Sequence, residues 1–335
     1  MRFSISIPVQ FPVGEPIERR FQESIEVVRA AREAGFNHIS ASQHYLATPF
    51  QYLQPVPILA RMAAESGDMT LGSGIILLTL QHPVDMAESI ATLDVITGGR
   101  LVFGVGLGYR DEEFDAFGVP KGKRLSRFLE ALHVIERLWT EERVTHQGEH
   151  FQLNDVTLTT RPLQKPRPPI VLAASGDKMV RRAAKLADAW AIAGHATFAT
   201  LERQVEVYKA ALAEAGKPFP PERFAIGKEM FIGREMGEAR KAALPHIETK
   251  YKAYAAWGQD NVLPDGESFD LPIDELMEDR FIVGDPEHCI EQIEAHRDRL
   301  GVRQIGFRLH WPGLDHRRVL DAISLIGERV IPHFR

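Results

Sequence analysis

The sequence predicts an α/β fold, a (β/α)8 TIM barrel with insertions after strands four and seven. Two observations predict it. Eight short apolar runs alternate with helical stretches along the chain, the pattern of a parallel sheet closed on itself. Polar residues then gather just past the ends of those runs, where such barrels bind ligands. Length agrees. A barrel takes about 250 residues, and 335 leaves room for additions.

Strand one is predicted over 2–8 and its helix over 18–34, closed by Gly35 as a C-cap. Strand two covers 38–42, and a helix over 57–65 leads to strand three. The stretch from Leu71 to Val84 is the most informative in the chain. Its run Ile75 to Leu78 is bounded by Gly74 and Pro83, as a strand covered on both faces would be. Gly72 and Gly74 interrupt it where a backbone bulges or meets a flat ligand. Gln81 and His82 follow its end. A helix over 84–96 stops at Gly98-Gly99, and strand four runs into Gly104-Val-Gly-Leu-Gly108. After a helix over 125–138, strands five, six and seven are predicted over 169–174, 188–193 and 224–232. Their helices span 178–186 and 201–215. A helix over 286–300 leads to strand eight over 304–310, and a helix over 316–330 closes the chain. All of this forms one domain, 1–335.

The first insertion, 111–167, holds more than one helix and a β-hairpin over 144–160 around Gly148. The second, 233–285, carries Tyr251, Tyr254, Trp257, the turn Leu263-Pro-Asp-Gly266 and Phe269. A loop of that length is functional or mobile. Its aromatic residues read as a lid over an apolar pocket, with an oligomer contact as the alternative.

Formal net charge is −6, which argues against nucleic acid or an anionic membrane as partner. The single cysteine, Cys289, excludes an internal disulfide and fits a cytoplasmic protein. No signal segment and no transmembrane run is expected. Several histidines fall at strand ends, yet no H-x-H pair occurs, and no metal is expected. A G-x-S-x-G elbow is absent. The glycines after strand four miss the dinucleotide spacing, because Tyr109 stands where a third glycine belongs. Ser175-Gly-Asp-Lys178 places small residues between a strand and a helix. That exposes backbone N–H groups to a phosphate, and a plain N-cap is the alternative.

These stretches together resemble the bacterial luciferase-like flavin monooxygenase family. The matching segments are Ser42-Gln-His44, Leu71 to Val84, Ala91 to Leu101, and Gly104 to Tyr109 with Glu113-Phe114. Others are Phe117-Gly118, Arg161 to Gln164, Ala187 to Trp190, Val283 to Pro286 and Val330 to Phe334. They run in order along nearly the whole chain. The resemblance implies a flavin-type cofactor at the C-terminal face. It implies a cis peptide at Gly74–Ile75 pressing on the central ring. It puts His44 near the ring's reactive edge as the catalytic residue. Gly74, Ile75, Gly106, Tyr109, Ala174, Ser175 and Gly176 become the cofactor-binding residues. Tyr45, Gln81, His82, His310 and Trp311 become the substrate pocket. The implied reaction is monooxygenation of a small to medium apolar organic substrate by reduced FMN and molecular oxygen. A partner flavin reductase supplies the cofactor, and the protein is expected to be a homodimer. The alternative is a hydride-transfer oxidoreductase using the deazaflavin coenzyme F-420. Leu107 favours that alternative, because several FMN members carry arginine there, and Gln43 replaces the family's glutamate.

Overall fold

In the computed structural model, strand pairing follows from burial. The residues described are 1–192, 194–222, 224–263 and 267–335. Eight parallel strands close on themselves. They are β1 (Arg2–Ser6), β2 (His38–Ala41), β3 (Thr70–Ser73), β4 (Leu101–Gly106), β5 (Ile170–Ala173), β6 (Ala189–Ile192), β7 (Ala225–Ile232) and β8 (Gln304–Arg308). Each pairs with its neighbours in sequence order, β4 joins β5, and β8 returns to β1. The register sets Ile5 beside Ile39, Ile39 beside Leu71, and Ile226 beside Ile305. These side chains belong to one large apolar cluster that also holds helix residues such as Ile25, Val28 and Ile293.

Alternation then decides the inside. Ser4, Ser40, Ala173, Ala191, Gly227 and Gly306 face the barrel axis and line a cavity of about 710 Å³. Barrels of this architecture usually fill that space with bulky branched side chains. Here small ones keep it hollow.

Gly35 caps the first helix with φ 92°, as its sequence position predicts. The hairpin of the first insertion forms from Val144–Gln147 and Gln152–Val156. Strand three breaks after Ser73 and resumes as Ile76–Leu77, with the expected cis peptide between Gly74 and Ile75. Two features differ from the sequence reading. Gln10–Pro12 and Phe50–Tyr52 form a short antiparallel pair, too brief and too proline-marked to show as a periodic pattern. Ile282–Gly284 adds a further parallel strand beside the outer half of β7. The second insertion is largely a helix, Met236–Ala256, with Pro245 inside it. It buries Ala243, Ile247, Tyr251 and Tyr254, so its aromatic residues pack inward. The turn predicted at Leu263-Pro-Asp-Gly266 falls mostly outside the described residues. No helix among the described residues is long and apolar enough to cross a membrane.

Candidate active site

The bulge after β3 is built from side chains around it. Gly104 donates its N–H to Ser73 Oγ at 2.9 Å, and that hydroxyl donates to the Gly104 carbonyl at 2.7 Å. A Cβ on Gly104 would come 1.9 Å from the Ser73 carbonyl oxygen, and one on Gly106 would meet Ile75 at 2.7 Å. Two glycines of the Gly104–Gly108 stretch therefore make room for the bulge. Gln43 pins it from the other side. Its Oε1 accepts the Leu77 N–H at 2.8 Å, while its Nε2 donates to Tyr45 and Gln54. A carboxylate at 43 would offer only acceptors.

His44 follows β2 and lines the cavity. Its Nδ1 lies 3.0 Å from Oε1 of Glu113, a fully buried carboxylate. That oxygen also accepts the Tyr45 N–H at 2.9 Å. Arg110 stands 3.6 Å from it and stacks on Trp257 at 4.2 Å. The rings of Tyr52, Tyr109, Tyr254 and Trp257 surround the imidazole at centroid distances of 5.5, 5.9, 6.0 and 5.3 Å. With Nδ1 held by Glu113, Nε2 is the nitrogen left to act on a ligand.

At the other side of the same cavity lie Ala174, Ser175 and Gly176. Their backbone enters the helix Asp177–Leu186, whose first N–H groups lack intrahelical acceptors. Asp177 would repel a phosphate, yet its carboxylate turns to Arg203 at 2.6 Å and Gln204 at 3.3 Å. The Arg203 guanidinium holds its carboxyl below the usual range. Space above Gly176 is open, with nothing within 4 Å of a Cβ placed there. Arg124, at the start of the helix Arg124–Thr140, reaches the same cavity. It is a cation on the cavity lining, which also includes Leu107.

A third group closes the cavity between β7, β8 and the Met236–Ala256 helix. Glu229, Lys250, Arg308 and His195 all line it. Lys250 and Glu229 form a buried ion pair. Burial, then Lys250, pushes the neighbouring His195 imidazole down to about 3, so it stays neutral. The pairing of Glu113 with His44, and of Lys250 with Glu229, does not show in the sequence, because the partners lie 69 and 21 residues apart.

Every predicted cofactor residue, Gly74, Ile75, Gly106, Tyr109, Ala174, Ser175 and Gly176, lines the cavity. The predicted substrate residues do not. The Tyr45 hydroxyl accepts from Gln43 and Gln81, and its ring packs on Phe117 at 4.6 Å, behind the bulge. His82 caps a helix by accepting the Val84 N–H. His310 packs edge-on against Phe11, because β8 ends at Arg308 and the inward alternation ends with it. Trp311 is fully buried and donates its indole N–H to Glu229 at 2.5 Å. These five side chains lie outside the cavity, whose wall at β7 and β8 carries Glu229, Lys250 and Arg308 instead. Among the described residues, no three of His, Cys, Asp and Glu gather as a metal site.

The residues fit a flat, phosphate-bearing cofactor. Tyr109 keeps a buried hydroxyl with no hydrogen-bond partner among the described residues, next to the glycines of the bulge. Residues 1–304 match the model of the luciferase-like monooxygenase family. The chain belongs to that family. It is 28% identical to the F420-dependent glucose-6-phosphate dehydrogenase of Nakamurella multipartita, over 93% of this chain and 92% of that one. It is 26% identical to the F420-dependent hydroxymycolic acid dehydrogenase of Mycobacterium tuberculosis, over 92% of this chain and 83% of that one. Its fold matches monooxygenase RslO1 from Streptomyces bottropensis with a TM-score of 0.89, at 24% identity over the full length of both. The family includes FMN monooxygenases and F420-dependent oxidoreductases alike.

Proposed function

We propose that this protein is a deazaflavin-dependent dehydrogenase that oxidises a hydroxyl-bearing carbon to a carbonyl. The observation that carries the reading is the buried Glu113 carboxylate behind His44, at 3.0 Å, in a cavity with a polar far wall. The curated relatives named above are dehydrogenases of hydroxylated substrates that use F420, and they support the same choice.

Ala174, Ser175, Gly176 and Arg124 would hold the cofactor's phosphate, and Gly74, Ile75, Gly106 and Tyr109 its ring. The deazaflavin, when bound, supplies a two-electron hydride acceptor. The chain supplies the proton's path. His44 takes the substrate hydroxyl proton on Nε2 as the carbon gives up its hydrogen with both electrons. Glu113 stabilises the resulting imidazolium through Nδ1 and fixes the ring's orientation. Tyr52, Tyr109, Tyr254 and Trp257 keep bulk water from the imidazole.

A second reading, monooxygenation with reduced FMN and oxygen, is favoured by that same aromatic enclosure, which would shield an oxygen-derived species. It requires a reductase to deliver the cofactor. The test is anaerobic mixing of the protein with oxidised F420 and a panel of alcohols, followed by absorbance. Bleaching of the deazaflavin without oxygen is expected. No bleaching with any alcohol, together with oxygen uptake from reduced FMN and a carbonyl panel, would overturn the first reading in favour of the second.

A further inference from the structure

The wall formed by Glu229, Lys250 and Arg308 has more positive charge than it can neutralise. Glu229 and Arg308 are direct neighbours across β7 and β8. Glu229, however, is already spent. Its Oε1 accepts from Lys250 and from the Tyr251 hydroxyl at 3.0 Å, and its Oε2 accepts from the Trp311 indole. Arg308 Nε stands 3.8 Å from that carboxylate, beyond hydrogen-bond reach. The Tyr254, Tyr52 and Tyr251 hydroxyls are Arg308's further polar neighbours, and the Tyr52 hydroxyl is shared with Ser42. A guanidinium has five N–H donors, and among the described residues most of Arg308's have no hydrogen-bond acceptor.

Two cations therefore face one carboxylate at this wall, Lys250 and Arg308 against Glu229. The nearby His195 is neutral and adds no charge. Lys250 and Glu229 are almost fully buried, at 4% side-chain exposure each, whereas Arg308 keeps 21% and lines the cavity. A cation enclosed with no matching anion is costly unless a ligand brings one. Behind Tyr254, the buried Gln10 also keeps an amide Nε2 without a partner among the described residues.

We propose that the substrate carries a carboxylate that Arg308 clamps. The planar fork of the guanidinium matches a carboxylate's two oxygens. The clamp would hold the rest of the molecule between this wall and His44. The substrate class is then a hydroxy acid rather than a neutral apolar compound. This inference rests on the reading of the cavity as the substrate site.

Calorimetric titration of the cofactor-free protein tests it, with cyclohexanecarboxylate and its neutral isostere cyclohexanecarboxamide as probes. The carboxylate should bind at least about tenfold tighter than the amide. That preference should vanish in Arg308→Gln and survive in part in Arg308→Lys, which keeps the charge but loses the fork. Equal affinities in the wild type, or no carboxylate binding, would overturn the proposal without any variant. So would inorganic phosphate binding at Arg308 while the carboxylate does not. Ser175→Asp separates the two readings. It should lose cofactor binding and keep the carboxylate preference, while Arg308→Gln should do the reverse. An Arg308→Gln protein that keeps the preference would also overturn the clamp.

Discussion

Glu113 Oε1 lies 3.0 Å from His44 Nδ1, and the same oxygen accepts the backbone N–H of Tyr45 at 2.9 Å. One buried carboxylate thus orients both the imidazole and the turn that carries it. The helix holding Glu113 (Asp111–Ala116) belongs to the first insertion, while His44 follows β2. The insertion after β4 therefore helps build the candidate site.

From this contact, His44→Ala should lower turnover by about 10²-fold or more with cofactor affinity unchanged. Glu113→Gln keeps an acceptor for the Tyr45 N–H but removes the charge that stabilises the protonated ring. Its turnover should fall about tenfold. Steady-state kinetics beside a cofactor fluorescence titration separate the two quantities. Normal turnover in His44→Ala would make this histidine structural.

The phosphate cradle gives a second prediction. Ser175→Asp puts a like charge where the cofactor's phosphate would sit, without touching the Gly104 region. Cofactor affinity should drop at least tenfold, about 1.4 kcal/mol. Unchanged affinity by fluorescence titration would move the phosphate elsewhere.

Glycines separate into those that support the fold and those that do not. Gly104→Ala drives a methyl to 1.9 Å from the Ser73 carbonyl. It should destabilise the protein by about 3 kcal/mol, because backbone cannot step aside as a flexible side chain does. Gly176→Ala meets nothing within 4 Å at an ordinary φ of −98°. Its stability should stay within about 0.5 kcal/mol of the parent. Urea unfolding of both variants checks the contrast. Equal stabilities would mean that the bulge yields.

The barrel was legible because strands buried on both faces read as short apolar runs, such as Ile170 to Ala173 between Pro169 and Ser175. Gly74, Gly106 and Ser175 were legible as cavity-lining residues because glycines and a small serine mark close backbone approach at strand ends. The wall at β7 and β8 was not. Arg308 reads as one more charged residue until β7 and β8 set it beside Glu229. Lys250 carries no local signal, and only the packing of the Met236–Ala256 helix brings it to the cavity. His310 and Trp311 fall at the end of the predicted strand eight, but the strand stops at Arg308 and neither residue lines the cavity. Contacts between residues far apart in sequence, such as His44 with Glu113, leave no local pattern to read.

Lys228 supplies a pH dependence. It is buried, and its Nζ donates to the carbonyls of Ala196 and Arg280 at 2.8 and 3.0 Å. Burial outweighs the pull of Asp279 and Glu267 and brings its ammonium down to about 7 from an ordinary 10.5. Between those values the unfolded chain holds a proton that the folded chain has released. Stability contributed by this group therefore rises with pH across that window and is least below pH 7. Lys250, also lowered by burial, adds in the same direction. The buried tyrosines oppose the trend only once unfolded phenols ionise near pH 10. Urea unfolding at about pH 6 and about pH 9 should show the higher stability at the higher pH. Lys228→Met should lower stability at both, since two carbonyls lose their donor, and should flatten the difference. An unchanged pH slope in that variant would show that Lys228 keeps its proton through neutral pH.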